Sequence, residues 1–396
     1  MTTLLLIVVA IATVPVALGC LYLLAMTLFS GRLPGYSDDR AEWHFVVVVP
    51  AHNEELGIER TVQSLKAVAW PQERCRILVI ADNCTDRTAE IAQAAGAEVL
   101  VRTSADRRGK GYALEFAFEQ VLADRSSQAI VVVDADSVVS ENLLQAMASR
   151  LDAGAQAVQC HYGALNPMDS WRTRLMSVAL SCFHIVRSRA RERFSLSCGI
   201  RGNGWCVTVE LLRKVPYCAY SLAEDIEFGM DIALRAGARV YYADEAFVLG
   251  DMVSSSGAAA KQRQRWEAGR AALVRSHAKK LLTATVSRRD PVCADLLADL
   301  VLPPLSTLVI ALAAVATATG CLIVLGSAGA RWLAVADALG VAALLAYVGR
   351  GWQLSGIGLR GVLDFMRVPW FVVWKVWTRL TNRSHTQWVR TERRRP

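Results

Sequence analysis

Ala129-Ile130-Val131-Val132-Val133-Asp134-Ala135-Asp136 is the stretch on which the reading of this chain turns. Five apolar residues, four of them β-branched, run without polar alternation and stop at two aspartates flanking an alanine. A run of this kind predicts a strand buried on both faces, as in a parallel sheet covered by helices. In open α/β sheets ligands bind beyond the carboxyl ends of the strands, where Asp134 and Asp136 fall. Two carboxylates there can hold Mg²⁺ or Mn²⁺ through oxygen and leave coordination positions for a diphosphate. They can equally cap the following turn.

Outward from this strand the same alternation recurs. Residues 45–49 form a second β-branched run ending at Pro50, followed by a helix over 54–68. A strand over 76–80 ends in Ala81-Asp82-Asn83, with a helix over 85–95 stopped by Gly96 and a third strand at 98–102. Gly109-Lys110-Gly111 precedes a helix at 112–122. Strands alternating with helices predict an α/β fold with a mostly parallel, doubly wound sheet. Asp82, at its strand end, can accept a hydrogen bond from a base edge such as the imide N–H of uracil, or close an Asx-turn with Asn83.

Residues 140–250 are more mixed. A long helix over 171–194 with an Arg-rich end suits a membrane surface, and 199–204 is a glycine-rich turn. Ser221-Leu222-Ala223-Glu224 reads as a capping box opening a helix that runs to Gly237. In that reading Glu224 is the reciprocal partner of Ser221. Asp225, beside it, is a candidate general base that takes the proton of an attacking hydroxyl. Short strands follow at 239–242 and 246–249, then a flexible segment at 254–257.

Gln262-Arg263-Gln264-Arg265-Trp266 lies on the next helix. Gln262, Arg265 and Trp266 fall at i, i+3 and i+4 and share one face. That face offers an amide, a guanidinium fork suited to pyrophosphate and a flat ring suited to a sugar. A basic amphipathic helix lying on a membrane accounts for the same residues.

The 396 residues are 53% hydrophobic and 20% charged, too apolar for an ordinary soluble protein. Residues 4–29 form an apolar run with no Lys or Arg before it, longer than a signal-peptide core, and predict a retained membrane helix. Residues 300–325 and 332–348 predict a hairpin of two further spans, with Pro303-Pro304 near its start and Asp337 inside the second. Residues 362–380, with Trp370, Trp374 and Trp377, read as an interfacial helix or a fourth crossing. The net charge of +8 is gathered beside the apolar segments rather than in a nucleic-acid-like stripe. By the positive-inside rule it places the soluble part on the cytoplasmic side of an inner membrane. The expected divisions are 1–30 as the first membrane helix, 41–250 as the catalytic domain and 251–295 as the interfacial helix region. A transmembrane hairpin over 300–349 and an interfacial helix with a basic tail over 350–396 complete them.

Several chemistries drop out. Gly109-Lys110-Gly111 lacks the P-loop pattern, and no Ser or Thr follows the lysine. The six histidines form no ligand cluster. No Gly-x-Ser-x-Gly elbow occurs. The ten cysteines form no C-x-x-C pair and read as reduced thiols.

Taken in order, Val49-Pro50-Ala51-His52-Asn53-Glu54, Asp82, Asp134-Ala135-Asp136, Glu224-Asp225 and Gln262-x-x-Arg265-Trp266 resemble the marks of the membrane-bound, processive-type family 2 glycosyltransferases. This group includes cellulose, chitin and hyaluronan synthases and smaller lipid glycosyltransferases. The resemblance covers about residues 43–290. It implies a GT-A, Rossmann-like domain using a nucleotide-sugar, usually a UDP-sugar, with Mg²⁺ or Mn²⁺. Asp82 would hold the uracil, Asp134 the nucleotide and Asp136 the metal. Pro50, His52, Glu54 and Lys110 would line the nucleotide pocket, and Arg265 would meet the pyrophosphate. Asp225 would be the base of an inverting transfer. Gly202-Asn203-Gly204, Glu224, Gln262 and Trp266 would face the acceptor. The acceptor implied is a polysaccharide or a lipid-linked chain, with membrane lipids around it and room for a second copy or an export partner. Three helices and the lack of a Phe-x-Val-Thr motif after Trp266 fit a single transfer to a lipid acceptor as well as a processive synthase. A non-catalytic membrane subunit of an assembly complex is a further alternative.

Overall fold

A computed structural model describes residues 2–35, 42–253 and 256–367. The chain opens with helix α1 (Thr2–Leu28). The α/β part then runs β1 (Phe45–Ala51), α2 (Ile58–Lys66), β2 (Cys75–Asp82), α3 (Thr88–Ala94), β3 (Glu98–Arg102), α4 (Lys110–Asp124), β4 (Ala129–Val132), β5 (Ser137–Val139) and α5 (Leu143–Asp152). It continues with β6 (Ala157–Ala164), α6 (Trp171–Leu180), α7 (Arg187–Arg193), β7 (Trp205–Thr208), α8 (Val209–Lys214), α9 (Glu224–Asp231) and β8 (Val240–Gly250). Five helices follow: α10 (Ser256–Arg288), α11 (Pro291–Val301), α12 (Leu305–Val324), α13 (Ala330–Ser355) and α14 (Leu359–Phe365).

The strands form one sheet in the order β3-β2-β1-β4-β7-β6-β8-β5. Strand β1 pairs in parallel with β2 and β4, and β2 with β3. Beyond β4 the sheet is mixed, with β7 antiparallel to β4 and β6, and β6 parallel to β8. The period-2 alternation of a strand divides the valines of β1 between the two faces. Val47 and Val49 join one core with Ile58, Val62 and Leu144, while Val46 and Val48 join another with Leu114, Phe118 and Phe228. Residues 45–49 are fully buried, as the unbroken apolar run requires.

The structure differs from the sequence reading in several places. The strands expected at 239–242 and 246–249 are one continuous strand, β8, with an irregularity in its pairing to β6 between Cys160 and His161. Strands β5, β6 and β7 were not anticipated; they are short or carry polar residues such as Gln159 and His161. The helix read over 171–194 is α6 and α7 joined by a π-helical turn, Ser181–Val186. Its Arg187 and Arg191 are buried rather than facing outward. Helix α10 already begins at Ser256, inside the segment read as flexible.

Among the described residues, three helices are long and apolar enough to cross a membrane: α1, α12 and α13. They pack on one another around Leu23, Leu312 and Tyr347. The prolines fall between helices: α11 ends at Val301 and Pro304 caps α12, because Pro lacks the N–H that a continuous helix needs. Of the segment 362–380, the residues beyond 367 lie outside the described part, as does the basic tail. Asp364, on α14, receives Arg174 Nε at 2.5 Å.

Candidate active site

The carboxyl ends of β2, β1 and β4 lie side by side. Asp82, the last residue of β2, is buried and paired in register with Arg102 of β3. Arg102 donates to its Oδ1 at 2.5 Å and Asn83 Nδ2 to the same oxygen at 3.1 Å. Asn83 adopts φ 51°, and its Oδ1 accepts the Ser104 N–H at 2.9 Å, so Asn83 rather than Asp82 makes the turn. His52 Nδ1 lies 2.7 Å from the Asp82 carbonyl oxygen, which makes that nitrogen the protonated one. Pro50 sits opposite Ile80, and the Glu54 N–H donates to Thr88 Oγ1 at 2.7 Å. These residues form one rim at the β1–β2 edge.

Next to it the 134–136 turn is held from two sides. Thr61 Oγ1, on α2, donates to the Ala135 carbonyl at 2.9 Å and accepts the Ser137 N–H at 3.0 Å. Asn203 Oδ1 accepts the Asp134 N–H at 3.0 Å, and Asn203 Nδ2 donates to Ser137 Oγ at 2.8 Å. Asn203 is therefore a buried clasp between the 199–204 loop and the aspartate turn. Gln159, fully buried on β6, donates to the carbonyls of Asn203 and Gly204 at 2.6 and 3.1 Å and accepts the Arg201 N–H at 2.9 Å. Gly204 has φ 71°, and a Cβ there would stand 2.7 Å from Val248 Cγ2, so only glycine fits.

Lys110, the first residue of α4, joins the two halves of the site. Its Nζ lies 2.6 Å from Asp134 Oδ1 and 3.9 Å from Glu224 Oε1, and donates to the Gly202 carbonyl at 2.8 Å. Burial alone would pull this ammonium down; Asp134, Glu224 and Asp225 outweigh it and raise its pKa. Asp225 lies over Gly202, where a Cβ would stand 3.5 Å from Asp225 Oδ2. Burial, reinforced by the neighbouring Glu224 charge and opposed by Lys110, lifts the Asp225 carboxyl from 3.8 to about 7. A base poised near neutral pH is what proton abstraction from a hydroxyl calls for.

The capping box expected at 221–224 is not formed. Helix α9 starts at Glu224 with Ala223 as its cap residue. Ser221 Oγ accepts the Ala223 N–H at 3.3 Å, and Glu227, not Glu224, accepts the Ser221 N–H, at 3.1 Å. The chain makes its reciprocal bond one turn later, which leaves the Glu224 carboxylate directed toward Lys110.

Gln262, Arg265 and Trp266 lie on α10, whose next turn on the same face is Gly269. A Cβ at Gly269 would stand 3.0 Å from Ala223 Cβ and 3.2 Å from Ala223 N, so α10 packs directly on the residues preceding Glu224-Asp225. Trp266 is 37% exposed, Gln262 Oε1 is enclosed without a hydrogen-bond partner, and Arg265 makes no ion pair among the described residues. The structure thus brings Lys110, Asp134, Gly202, Glu224 and Asp225 into contact and sets the Gln262–Trp266 face alongside. Among the described residues no direct bond runs from that face to the carboxylates.

Thr61, Arg102 and Gln159 were missed from sequence. Gln159 alone left a signal, as an amide inside the otherwise apolar Ala157-Val158-Gln159-Cys160. For a divalent cation, the donors on offer are the Asp134 and Asp136 carboxylates, hard oxygen ligands at a strand end. Among the described residues no three His, Cys, Asp or Glu side chains gather as a complete cage. A partial oxygen shell completed by diphosphate and water is the arrangement Mg²⁺ or Mn²⁺ takes, so the residues fit.

Residues 42–269 match the family described as "Glycosyltransferase like family 2". The "Probable glycosyltransferase YdaM" of Bacillus subtilis is 24% identical over 251 residues, 61% of this chain and 59% of its own length. A "Beta-monoglucosyldiacylglycerol synthase" of Nostoc is 27% identical over 232 residues, 56% of this chain and 48% of its own. The match thus spans about half the length of these relatives. The mannosyltransferase PcManGT from Pyrobaculum calidifontis, solved in complex with GDP-Man and Mn²⁺, superposes with a TM-score of 0.55. That superposition is at 18% identity and covers 87% of this chain and 98% of that one. The likeness gives the fold, a mixed α/β, Rossmann-like GT-A sheet.

Proposed function

The chain belongs to the family 2-like glycosyltransferases, and from that premise we propose that it moves a sugar from a nucleotide-sugar, a UDP-sugar in our reading, to a lipid-linked acceptor. The observation that carries the proposal is Asp225: a half-buried carboxyl lifted to about 7 that lies over Gly202 and feels the charge of Lys110, which itself pairs with Asp134. In the proposed step Asp225 takes the proton of an acceptor hydroxyl, whose oxygen forms a bond to the anomeric carbon from the face opposite the nucleotide. The bond from that carbon to the diphosphate breaks, and its electron pair leaves with the nucleotide diphosphate, inverting the centre. Asp82, oriented by Arg102, receives the base edge, and Pro50, His52, Glu54 and Lys110 line the nucleotide. Arg265 meets the pyrophosphate, and Gly202-Asn203-Gly204, Glu224, Gln262 and Trp266 form the acceptor wall. The chemistry a divalent cation on Asp134 and Asp136 supplies, when bound, is neutralisation of the departing diphosphate.

Membrane placement in this proposal follows from α1, α12 and α13. The basic residues that flank them favour a catalytic face on the cytoplasmic side of an inner membrane. The proposed units are the helix over 1–30, the transferase domain over 41–250, the α10 region over 251–295, the hairpin over 300–349 and the remainder. The three candidate spans fill their interior with one another's side chains. That favours a single transfer over processive synthesis with translocation. The test is a donor screen. Purified protein with Mg²⁺ or Mn²⁺ is given labelled nucleotide-sugars and a lipid extract. Labelled lipid and released nucleotide are expected with at least one UDP-sugar, and no release with any donor overturns the proposal.

A further inference from the structure

Helix α14 turns the usual burial order inside out. Its outward residues are Leu359, Val362, Leu363 and Met366, which are 43–80% exposed. Spaced at i, i+3, i+4 and i+7, they form one continuous face of the helix. Its inward residues are Gly361 and the charged Asp364, the latter 4% exposed. A helix packed on a protein in water does the opposite, burying its leucines and exposing its aspartate. The orientation is fixed by bonds on both sides. Arg174 Nε of α6 donates to Asp364, and Trp352 Nε1 of α13 donates to the Gly358 carbonyl at 2.9 Å. A Cβ at Gly361 would stand 3.3 Å from Trp352 Cδ1, so the inward face lies tight against the end of α13. Rotating α14 to hide its leucines would separate the buried Arg174–Asp364 pair and leave both charges uncompensated, which is costly.

The start of α6 stands beside this face. The Trp171 ring lies 4.5 Å from the Arg172 guanidinium and 5.8 Å from that of Arg367, just past the C-terminal end of α14. Arg360 is exposed as well. The one acidic residue of α14 is taken up by Arg174 and Arg367, so the charge the helix presents outward is positive. Large apolar side chains, an indole ring and arginines at one level are what a membrane interface selects. Only residues 356–358 separate α14 from α13, a candidate span. The seven residues of α14 cover about 10 Å, against about 30 Å for a hydrocarbon layer. The helix can therefore lie in the surface of a bilayer but cannot cross it.

We infer that α14 and the start of α6 form a docking surface for the anionic headgroup layer of the membrane. Leu359, Leu363 and Met366 enter among the acyl chains, and Arg360 and Arg367 meet the lipid phosphates. The inference rests on the proposed reading of α1, α12 and α13 as membrane spans and not on the transferase chemistry.

The test places the photo-crosslinker p-benzoylphenylalanine at position 363 of the full chain. The protein is held in nanodiscs of phosphatidylcholine and phosphatidylglycerol, illuminated, and its adducts identified by mass spectrometry. The same probe is placed in place of Leu345, exposed on α13, and of Val101, exposed on β3 at one edge of the sheet. Lipid adducts are expected at 363 and 345 and none at 101. Lipid adducts at 345 but not at 363 overturn the docking surface and leave the spans standing. No lipid adduct at 345 overturns the spans and the inference with them. Adducts from 363 to residues 368–396, or to a second copy of the chain, give the face another occupant and overturn the inference. Equal lipid adducts at all three positions show indiscriminate labelling and overturn it as well. Arg360→Gln and, separately, Arg367→Gln should each lower the ratio of phosphatidylglycerol to phosphatidylcholine adducts at 363 about fivefold, the effect of one basic charge at a membrane surface. A cooperative thermal transition shows each variant to be folded, and an unchanged ratio in both overturns the assignment to anionic headgroups. No readout involves sugar transfer, so this result and the donor screen can fail independently.

Discussion

Replacing Asp225 by Asn removes a charge that the fold holds at a cost. In the native protein this carboxyl titrates at about 7, against 3.8 for a solvated aspartate. At about 1.4 kcal/mol per pH unit the difference is about 4 kcal/mol, an upper bound because part of the side chain meets solvent. The sign follows from linkage. A raised carboxyl pKa means the native state binds more protons than the unfolded chain between about pH 4 and 7. The aspartate therefore costs nothing at pH 4 and destabilises progressively up to pH 7, with the full penalty above it. Asp225→Asn should match the wild type in thermal midpoint at pH 4 and exceed it at pH 8 by an amount equivalent to about 2–4 kcal/mol. In the same variant transfer should fall by about 10²–10⁴-fold while UDP binding is retained, the range expected for loss of a general base. In the wild type kcat should rise with pH through about 7 to a plateau. A variant less stable than wild type at pH 8, or transfer at near wild-type rate, would refute the reasoning that burial tunes Asp225 as the base.

Other perturbations test its neighbours. Lys110→Met removes the cation that opposes the rise in Asp225. The rising limb of the kcat–pH profile should then move alkaline by about 1–3 pH units, as for loss of an opposite charge at close range; an unmoved limb argues against the coupling. Gln159→Leu strips the hydrogen bonds that hold the 199–204 loop. It should destabilise by about 1–3 kcal/mol and lower kcat with little change in UDP affinity, checked by denaturant titration and steady-state kinetics. Gly204→Ala forces a Cβ against Val248 in a left-handed backbone and should cost about 1–3 kcal/mol or prevent folding. Removing divalent cations with a chelator should abolish transfer, and adding back Mg²⁺ or Mn²⁺ should restore it; full activity in chelator excludes the proposed role of Asp134 and Asp136.

The parallel half of the sheet was legible because its valine runs have to be buried on both faces, and an unbroken β-branched run has few other destinations. The same logic fails for β6 and β7. There a buried Gln159 and a glycine-rich approach interrupt the apolar pattern precisely because those residues build the site. The strand-end aspartates could be placed from sequence, since a carboxylate at a strand's carboxyl end has a position before it has contacts. Their partners could not: Arg102 meets Asp82 across a strand pair, and Lys110 meets Glu224 over more than a hundred residues. Ser221-Leu222-Ala223-Glu224 misled because a local capping pattern competes with tertiary demand. Lys110 draws Glu224 away, and Glu227 supplies the return bond instead. The Arg187–Arg191 stretch, read as a surface face, is buried because Asp295 and Asp299 come to meet it from α11, a pairing no local pattern encodes.

The most direct test of the central claim is the anomeric configuration of the transferred sugar. Product formed from a UDP-sugar of defined anomeric configuration would be isolated before any exchange and read by the proton coupling at its anomeric carbon. A single displacement driven by Asp225 predicts that the linkage has the configuration opposite to that of the donor. Product that keeps the donor's configuration would contradict it.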